Sequence, residues 1–328
     1  MVGIRDVAKA AGVSVSTVSQ VVTGKRPVGA ATRARVEEVI ARLGYLPHPG
    51  ASQMRGGRTG MIALVVPNLA NPFYPLVADG MQDVLAPRDI ILTVTDSNVP
   101  DRSAATIYRL LSRRVDAMVV AQFGLDEPSL AALRGAGVPF VGLGQAPPGG
   151  GDFVHTDDVG GFGLVVSHLV ERGRRRIAFL GGEESAIPTQ QRLEGYRAAL
   201  AEAGVPVRDD YVLFADFTRE GGRSGAAVLL DRTDPPDAIA AANDLIAMGV
   251  LDTARARGLR VPDDVAVTGY DDIDAASLVC PPLTTVDNPA REIGRACARL
   301  LMERLDGKGT GEARVVELPH RLVVRDSS

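Results

Sequence analysis

Polar and aromatic side chains follow several short apolar runs of this sequence, where they could bind a small molecule. They are Asn68, Asn71, Phe73 and Tyr74 after Met61–Val66, Arg192 after Ile177–Leu180, Phe217, Asn243 after Ala238–Ala241, and Asp271 after Val265–Gly269. Amide, guanidinium and carboxylate groups can bond ring hydroxyls in pairs, and an aromatic ring can stack on a ligand's flat face. Each Asn or Asp taken singly most often caps the next helix, so it is their repetition that indicates a site.

These apolar runs belong to a body of alternating strands and helices. Predicted strands are Met61–Val66, Ile90–Val94, Ala117–Ala121, Phe140–Leu143, Ile177–Leu180, Ala238–Ala241 and Val265–Gly269, and predicted helices lie near 73–86, 101–113, 126–135, 159–172, 190–203, 221–231 and 243–257. Such alternation predicts parallel sheets with helices on both faces, here two units in series forming a bilobed receptor. Ligands of these sheets bind outside the carboxyl ends of strands, which would bring the polar residues to one cleft.

The first 45 residues predict three short helices. Gly12 interrupts the first, and Ser14 can cap the second because its hydroxyl accepts a free backbone amide. Val18, Val21 and Val22 are predicted to face inward. Two helices joined by a tight glycine-containing turn form a helix-turn-helix.

The outward side of that second helix is short or polar and uncharged, as a base-reading surface requires. It carries Val15, Ser16, Ser19 and Gln20. In a major groove, Gln20 could accept from adenine N6 and donate to N7. The helix pattern alone equally suits a small three-helix bundle that binds protein.

The charge distribution favours a polyanionic partner for this end of the chain. Residues 1–59 carry nine Lys and Arg against three acidic residues, whereas the whole chain has a net charge of −4. A basic head on an acidic body is typical of a protein whose head contacts nucleic acid.

Several function classes are disfavoured. No apolar run is long enough to span a bilayer, and no secretory signal opens the chain, so we expect a cytoplasmic location and no membrane partner. Cys280 and Cys297 have no metal-ligand spacing, and we expect neither metal nor cofactor. An enzyme with a nucleotide-type α/β fold is the rival class. It is disfavoured because Gly142-Leu143-Gly144 leads to prolines instead of a phosphate-binding helix, and no nucleophile motif is present.

The head contains four stretches that form a recognisable pattern. They are Asp6-Val7-Ala8-Lys9-Ala10-Ala11-Gly12-Val13-Ser14, Ser16-Thr17-Val18-Ser19, Thr32-Arg33 and Leu43-Gly44-Tyr45. In these stretches the head resembles the LacI/GalR family of transcriptional regulators. It implies that Val15, Ser16 and Gln20 read bases while Ser14, Thr17 and Ser19 mostly contact phosphates. Gln20 stands where the family usually has Arg, so the family's commonest base preference is not expected here.

Residues 46–60 are rich in glycine and proline, which predicts a domain boundary. By resemblance this linker contains a hinge helix, near 48–55, that forms on DNA. The apolar side chain that such a helix wedges into the minor groove would be Met54, where the family usually has Leu. A plain flexible tether is the alternative.

The resemblance extends over the body, through Asn71-Pro72-Phe73-Tyr74, Ala242-Asn243-Asp244, Gly269-Tyr270-Asp271-Asp272 and Pro282-Leu283-Thr284-Thr285. It implies that Arg192, Asn243 and Asp271 bind an effector and that Phe217 stacks on it. Gly144 stands where some sugar-responsive members have an acid. The implied organisation is a head at 1–45, a linker at 46–60 and a body at 61–328. Within the body, lobe 1 would span about 61–158 and 288–317, and lobe 2 about 159–287 and 318–328.

The sequence therefore predicts a homodimeric DNA-binding regulator, with a repressor as the expected type, that binds a pseudo-palindromic operator. A small molecule bound between the lobes would control operator affinity. A sugar or sugar derivative is the expected effector, and a purine or nucleoside is the alternative.

Overall fold

The computed structural model describes residues 2–23, 26–45, 58–97, 103–121, 127–147, 149–308 and 311–328. The chain separates into two compact units, Met1–Thr59 and Gly60–Ser328. No helix within the described ranges is long and apolar enough to cross a membrane.

The first unit contains three helices around a small apolar core. They are α1 (Ile4–Ala11), α2 (Val15–Thr23) and α3 (Ala30–Leu43). Each helix contributes a buried valine to the centre of this core, namely Val7, Val18 and Val36. The expectation that Val22 faces inward is wrong. Its side chain is 36% exposed, because α2 contacts the core through Val18 and Val21 and turns Val22 to its solvent edge.

The second unit is built on two parallel sheets, so the predicted fold class is confirmed. The first sheet has the strand order β11-β5-β4-β3-β1-β2 and the second has the order β7-β6-β8-β9. These strands are β1 (Met61–Val66), β2 (Ile91–Asp96), β3 (Ala117–Val120), β4 (Phe140–Leu143), β5 (Asp152–Thr156), β6 (Ile177–Gly181), β7 (Val212–Phe214), β8 (Ala238–Ala241), β9 (Ala266–Thr268) and β11 (Val315–Leu318). An antiparallel pair, β10 (Thr285–Asp287) and β12 (Arg321–Val323), completes the strands of the described chain.

Helices cover these sheets. They are α4 (Phe73–Leu85), α5 (Ser103–Ser112), α6 (Glu127–Ala136), α7 (Asp158–Glu171), α8 (Ile187–Glu202), α9 (Arg219–Leu230), α10 (Asp244–Ala256) and α11 (Ala290–Leu305). The central strands β1, β3, β6 and β8 are almost wholly buried because helices pack on both of their faces. Helix α11 is absent from the predicted set, although Ile293, Cys297, Leu300 and Leu301 are buried at helical spacing.

The chain passes between the two lobes three times. We define lobe 1 as the six-stranded sheet with α4–α6 and α11, and lobe 2 as the four-stranded sheet with α7–α10 and the β10–β12 pair. The first crossover joins β5 to α7 at Asp157, the second joins β10 to α11 at Asn288 and Pro289, and the third joins β11 to β12. Any relative movement of the lobes must therefore act through these three segments.

Helices α4 and α11 pack unusually closely because each contributes a glycine to their contact. A Cβ atom at Gly80 would overlap the carbonyl group of Arg291, and one at Gly294 would overlap that of Val77. This pair fixes α11, which follows the second crossover, onto lobe 1.

Candidate functional site

A cavity lies between the lobes, at the carboxyl ends of strands from both sheets. It encloses about 830 Å³, including its opening to solvent. Its polar and aromatic lining comprises Asn71, Phe73, Tyr74, Gln145, His155, Thr156, Asp158, Arg192, Phe217, Asn243, Asp271 and Asn288. Every predicted effector residue except Asn68 is thus placed at one cavity.

Arg192 is buried and held in a fixed orientation on α8. Its Nε donates to Asp158 Oδ1 over 2.7 Å, and its Nη1 donates to the carbonyl oxygen of Ala242. The guanidinium carbon lies 3.9 Å from the centre of the Tyr270 ring, a cation–π contact. Burial lowers the pKa of Arg192, but the carboxylates of Asp158 and Asp271 more than offset this and raise it. The cation therefore stays charged and leaves Nη2 facing the Asp271 carboxylate, 3.9 Å away.

Asp271 follows β9 with a backbone φ of 109°, in the left-handed region that a non-glycine residue adopts only at a cost. Its amide donates to Val286 O over 3.0 Å, and its carboxylate accepts from Asn288 Nδ2 over 3.1 Å. Burial raises the pKa of Asp271 to about 6, against the opposing influence of Arg192 and of the Asn288 hydrogen bond. The carboxyl group therefore gains or loses its proton near pH 6.

Asn243 begins α10 and has an unused donor. Its Oδ1 accepts from Ile246 N over 2.9 Å and so caps the helix. Its Nδ2 is buried and has no hydrogen-bond partner within the described chain. A buried unsatisfied donor costs about 1–3 kcal/mol, which makes Asn243, a residue of the cavity lining, a candidate for a ligand contact.

Phe217 forms a flat apolar wall of the cavity. Its ring lies directly on Gly182, where a Cβ would overlap the ring atoms. Glycine at this position therefore lets the ring pack against the backbone beside the cavity that it lines. Phe73 and Tyr74 meet edge to face, with ring centres 5.4 Å apart, on the opposite lobe.

Asn68 is the predicted effector residue that the structure places outside the cavity. Its side-chain oxygen accepts from Ala70 N over 2.8 Å and closes a local turn. Asn71, three residues further along the chain, lines the cavity instead and accepts from Phe73 N at the start of α4. The order of polar residues after β1 could not show which amide turns inward.

Asp158 and Asn288 are site residues that were not predicted. Both lie beside a crossover instead of after a predicted strand, so the rule that located the other residues passes over them. Gly144 also lines the cavity, with φ of 87° and open space around its missing side chain.

Asp244 and Asp272 are bound by groups from other segments of the body. The Asp244 carboxylate accepts from Thr285 Oγ1 over 2.6 Å and from Ile273 N over 2.9 Å. Asp272 lies 2.6 Å from an Arg325 nitrogen. These contacts brace the loop that holds Asp271.

In the first unit, Ser14 caps α2 through its hydroxyl, which accepts from Thr17 N over 3.1 Å. The same hydroxyl lies 2.7 Å from Ser16 Oγ and 2.8 Å from Thr17 Oγ1. Val15 and Ser16 are exposed, whereas Ser19 and Gln20 are half-buried. Met54 lies outside the described residues.

Comparison with known proteins relates both units to one family. Residues 3–48 match the model "Bacterial regulatory proteins, lacI family", and residues 166–328 match "Periplasmic binding protein-like domain". The chain is 37% identical over 331 residues to HTH-type transcriptional regulator CelR of Thermobifida fusca, covering 98% of this chain and 96% of CelR.

Two solved structures resemble the whole chain. One is a CelR–cellobiose complex, with a TM-score of 0.76, 35% identity and full coverage of both chains. The other is the lac repressor dimer bound to operator and the anti-inducer ONPF, with a TM-score of 0.86 and 27% identity over 99% of this chain and 98% of that one. Each resembles the chain in its helical head as well as in its body.

Proposed function

The chain belongs to the LacI family of DNA-binding transcriptional regulators, and on that premise we propose that an uncharged sugar, bound between the lobes, controls its affinity for operator DNA. The chain is a regulator and not an enzyme, in keeping with the named function of its relative CelR. We propose the identity of the effector, the residues that bind it, and a cytoplasmic location for the protein, where the DNA lies.

The unsatisfied Nδ2 of Asn243 is the observation that most supports a ligand in this cavity. Beside it stand an oriented cation, Arg192, and a carboxylate, Asp271. A sugar ring offers hydroxyl oxygens that accept from Asn243 and Arg192 and hydroxyl protons that Asp271 accepts. Phe217 supplies the flat face against which the C–H side of a ring packs.

The charge balance of the cavity favours an uncharged ligand. Among the described lining residues, Arg192 is the sole Lys or Arg, and it already faces the two carboxylates of Asp158 and Asp271. A phosphate or carboxylate brought into this buried space would meet two negative groups and find no free cation. Burial of such an unpaired charge is costly, so a sugar phosphate should be rejected.

Calorimetry on the full-length protein tests this assignment. Cellobiose, glucose and D-ribose are compared with glucose 6-phosphate and with hypoxanthine, because a purine could also stack on Phe217 and bond to Arg192 and Asp271. We expect binding of at least one neutral sugar and no binding of glucose 6-phosphate. Tight binding of hypoxanthine with no sugar binding would overturn the carbohydrate assignment and leave the regulator intact.

We further propose that two heads of a homodimer bind a pseudo-palindromic operator. In this proposal Val15, Ser16 and Gln20 contact base edges, and Ser14, Thr17 and Ser19 contact phosphates. The operator-bound lac repressor dimer, similar over nearly the whole chain, supports this arrangement. Met54 is proposed as the minor-groove wedge.

A further inference from the structure

Both charged groups of the cavity are tied to a chain crossover. Arg192 donates to Asp158, the first residue of α7, immediately after the first crossover. Asp271 accepts from Asn288, which lies on the second crossover. A ligand that contacts Arg192 and Asp271 therefore acts one hydrogen bond away from the segments about which the lobes must move.

Asn288 also contacts the opposite lobe. Its Oδ1 accepts from Thr156 Oγ1 over 3.2 Å, and Thr156 ends β5 in lobe 1. The three residues Thr156, Asn288 and Asp271 thus form a continuous hydrogen-bonded chain from lobe 1 to lobe 2, which we call the crossover relay. Each member is at most 7% exposed. Hydrogen bonds shielded from water in this way are costly to leave unmade.

The backbone around the relay is coupled to the same movement. The Asp271 amide donates to Val286 O on β10, the strand that leads directly into Asn288. Asn288 is followed by α11, which is fixed on α4 by the glycine contacts of Gly80 and Gly294. A shift of Asp271 would therefore carry β10 and Asn288 with it. Asn288 is joined to lobe 1 in two ways, by its side-chain bond to Thr156 and by the main chain that continues into α11.

We propose that Asn288 is a positioning residue that converts occupancy of the cavity into a change of lobe geometry. The side-chain amide of Asn288 donates to the Asp271 carboxylate, which would receive the sugar hydroxyls. The same amide accepts from Thr156 of lobe 1. When the Asp271 carboxylate takes new donors, its bond to Asn288 is redistributed, and the Thr156 contact adjusts with it. This inference rests on the proposed function, since it assigns the path by which the bound sugar acts.

The test separates sugar binding from its effect on DNA binding. Full-length parent protein is first used to select its operator from random duplex DNA. The probe is whichever of cellobiose, glucose and D-ribose gives the largest calorimetric response. For each variant we measure sugar affinity by calorimetry and the ratio of operator affinities with and without saturating probe. This ratio measures the coupling directly, whichever direction the sugar drives it.

Two variants break the relay at different points. Asn288→Ala removes both bonds, and Thr156→Val, which is nearly isosteric, removes only the bond to lobe 1 and leaves Asn288 on Asp271. The matched control is Arg321→Ala, which removes an exposed pair with Asp287 at 3.0 Å beside the third crossover but touches no relay residue. Thr156 and Asn288 both line the cavity, so the ratio is measured at a probe concentration that saturates each variant. We expect it to fall toward one in both relay variants and to stay within about twofold of the parent in Arg321→Ala.

Two results would overturn the relay. One is a parental ratio in both relay variants. The other is loss of sugar binding in Thr156→Val, which would mean that the chain serves only to build the cavity. A parent protein that binds none of the three sugars would instead contradict the proposed function, so the two failures are distinguishable.

Discussion

Asp271 gives the cavity a dependence on pH at the scale of a single residue. Sugar hydroxyls donate to its ionised form, and burial has raised its pKa to about 6. Binding should therefore be at full strength above pH 7 and weaken as the pH falls through 6. Because Asp271 takes up one proton over this range, the affinity for the sugar should be about tenfold weaker at pH 5 than at pH 7. Calorimetry from pH 5 to pH 8 measures this.

The control must account for the other groups around that carboxyl. Those that interact with it are Arg192, Asp158, Asp244, Tyr74 and Tyr270, and His155 lines the same cavity. Asp271→Asn removes the titrating group while keeping a hydrogen-bonding side chain of the same size. A variant whose remaining affinity still falls tenfold between pH 7 and pH 5 would assign the dependence to another group.

Gln20 should contribute specificity rather than general affinity. If it pairs bidentately with adenine, Gln20→Ala should cost about 1–3 kcal/mol at one base position in each half-site. Operator variants substituted one base pair at a time, compared by competition binding, measure this. An equal loss against every sequence would show that Gln20 supports α2 or contacts the backbone.

At this scale the sequence indicates residues whose role depends on their place after a strand. Arg192, Asn243 and Asp271 were found in that way, whereas the role of Phe217 was implied by the family resemblance. The structure places all four at one cavity. Asp158 and Asn288 were not found, because their roles arise from contacts with distant segments. Asp158 contacts Arg192, more than thirty residues away, and Asn288 contacts Thr156, more than a hundred residues away. No local pattern records such contacts.

Among the elements, the pair α4 and α11 depends on its glycines. Gly80→Ala should destabilise the body by about 1–3 kcal/mol or more, because the new methyl group overlaps backbone of the facing helix, which cannot rotate away. Gly163→Ala is the matched control, since Gly163 lies within α7 and has open space at its Cβ position. It should stabilise by up to about 1 kcal/mol through helix propensity. Urea unfolding of both variants measures the difference, and equal stability would contradict the close contact.

A continuous buried apolar run decides which strands the sequence could predict. The runs of β1, β3, β4, β6 and β8 were located, and so was β9, which has three residues but is buried within the apolar run Val265–Gly269. Strands β7, β10 and β12 also have three residues each, and β11 alternates exposed and half-buried positions, so none of these four stood out. Strand β5 was missed for another reason: it begins with Asp152, whose burial becomes acceptable only because Arg304 and Arg314 bind it from distant segments.

For the whole molecule, the basic head should carry the DNA affinity. Deleting residues 1–59 should leave a body that still binds sugar but not operator, because the two units are compact separately. For the full chain, the logarithm of operator affinity should fall linearly with the logarithm of salt concentration, since phosphate contacts release counterions. Operator retention by the truncated body in a gel-shift assay would contradict this division of roles.

The two-lobed body follows from strand and helix alternation, whereas the crossovers were expected only through family resemblance. Alternation describes neighbours along the chain and is silent on which sheet a strand joins. Strand β11 joins the first sheet by pairing with β5, more than a hundred residues earlier in the chain. Strand β12 pairs with β10, more than thirty residues earlier.

The central claim is that a neutral sugar held by Asp271 changes the affinity for operator. Its most direct test is the operator affinity of the full-length parent and of Asp271→Ala, each measured with and without a saturating amount of the sugar that binds the parent. We predict at least a fivefold change for the parent, the size of a typical coupling between two sites, and none for Asp271→Ala. An unchanged affinity in the sugar-bound parent, or a full response in Asp271→Ala, would contradict the account.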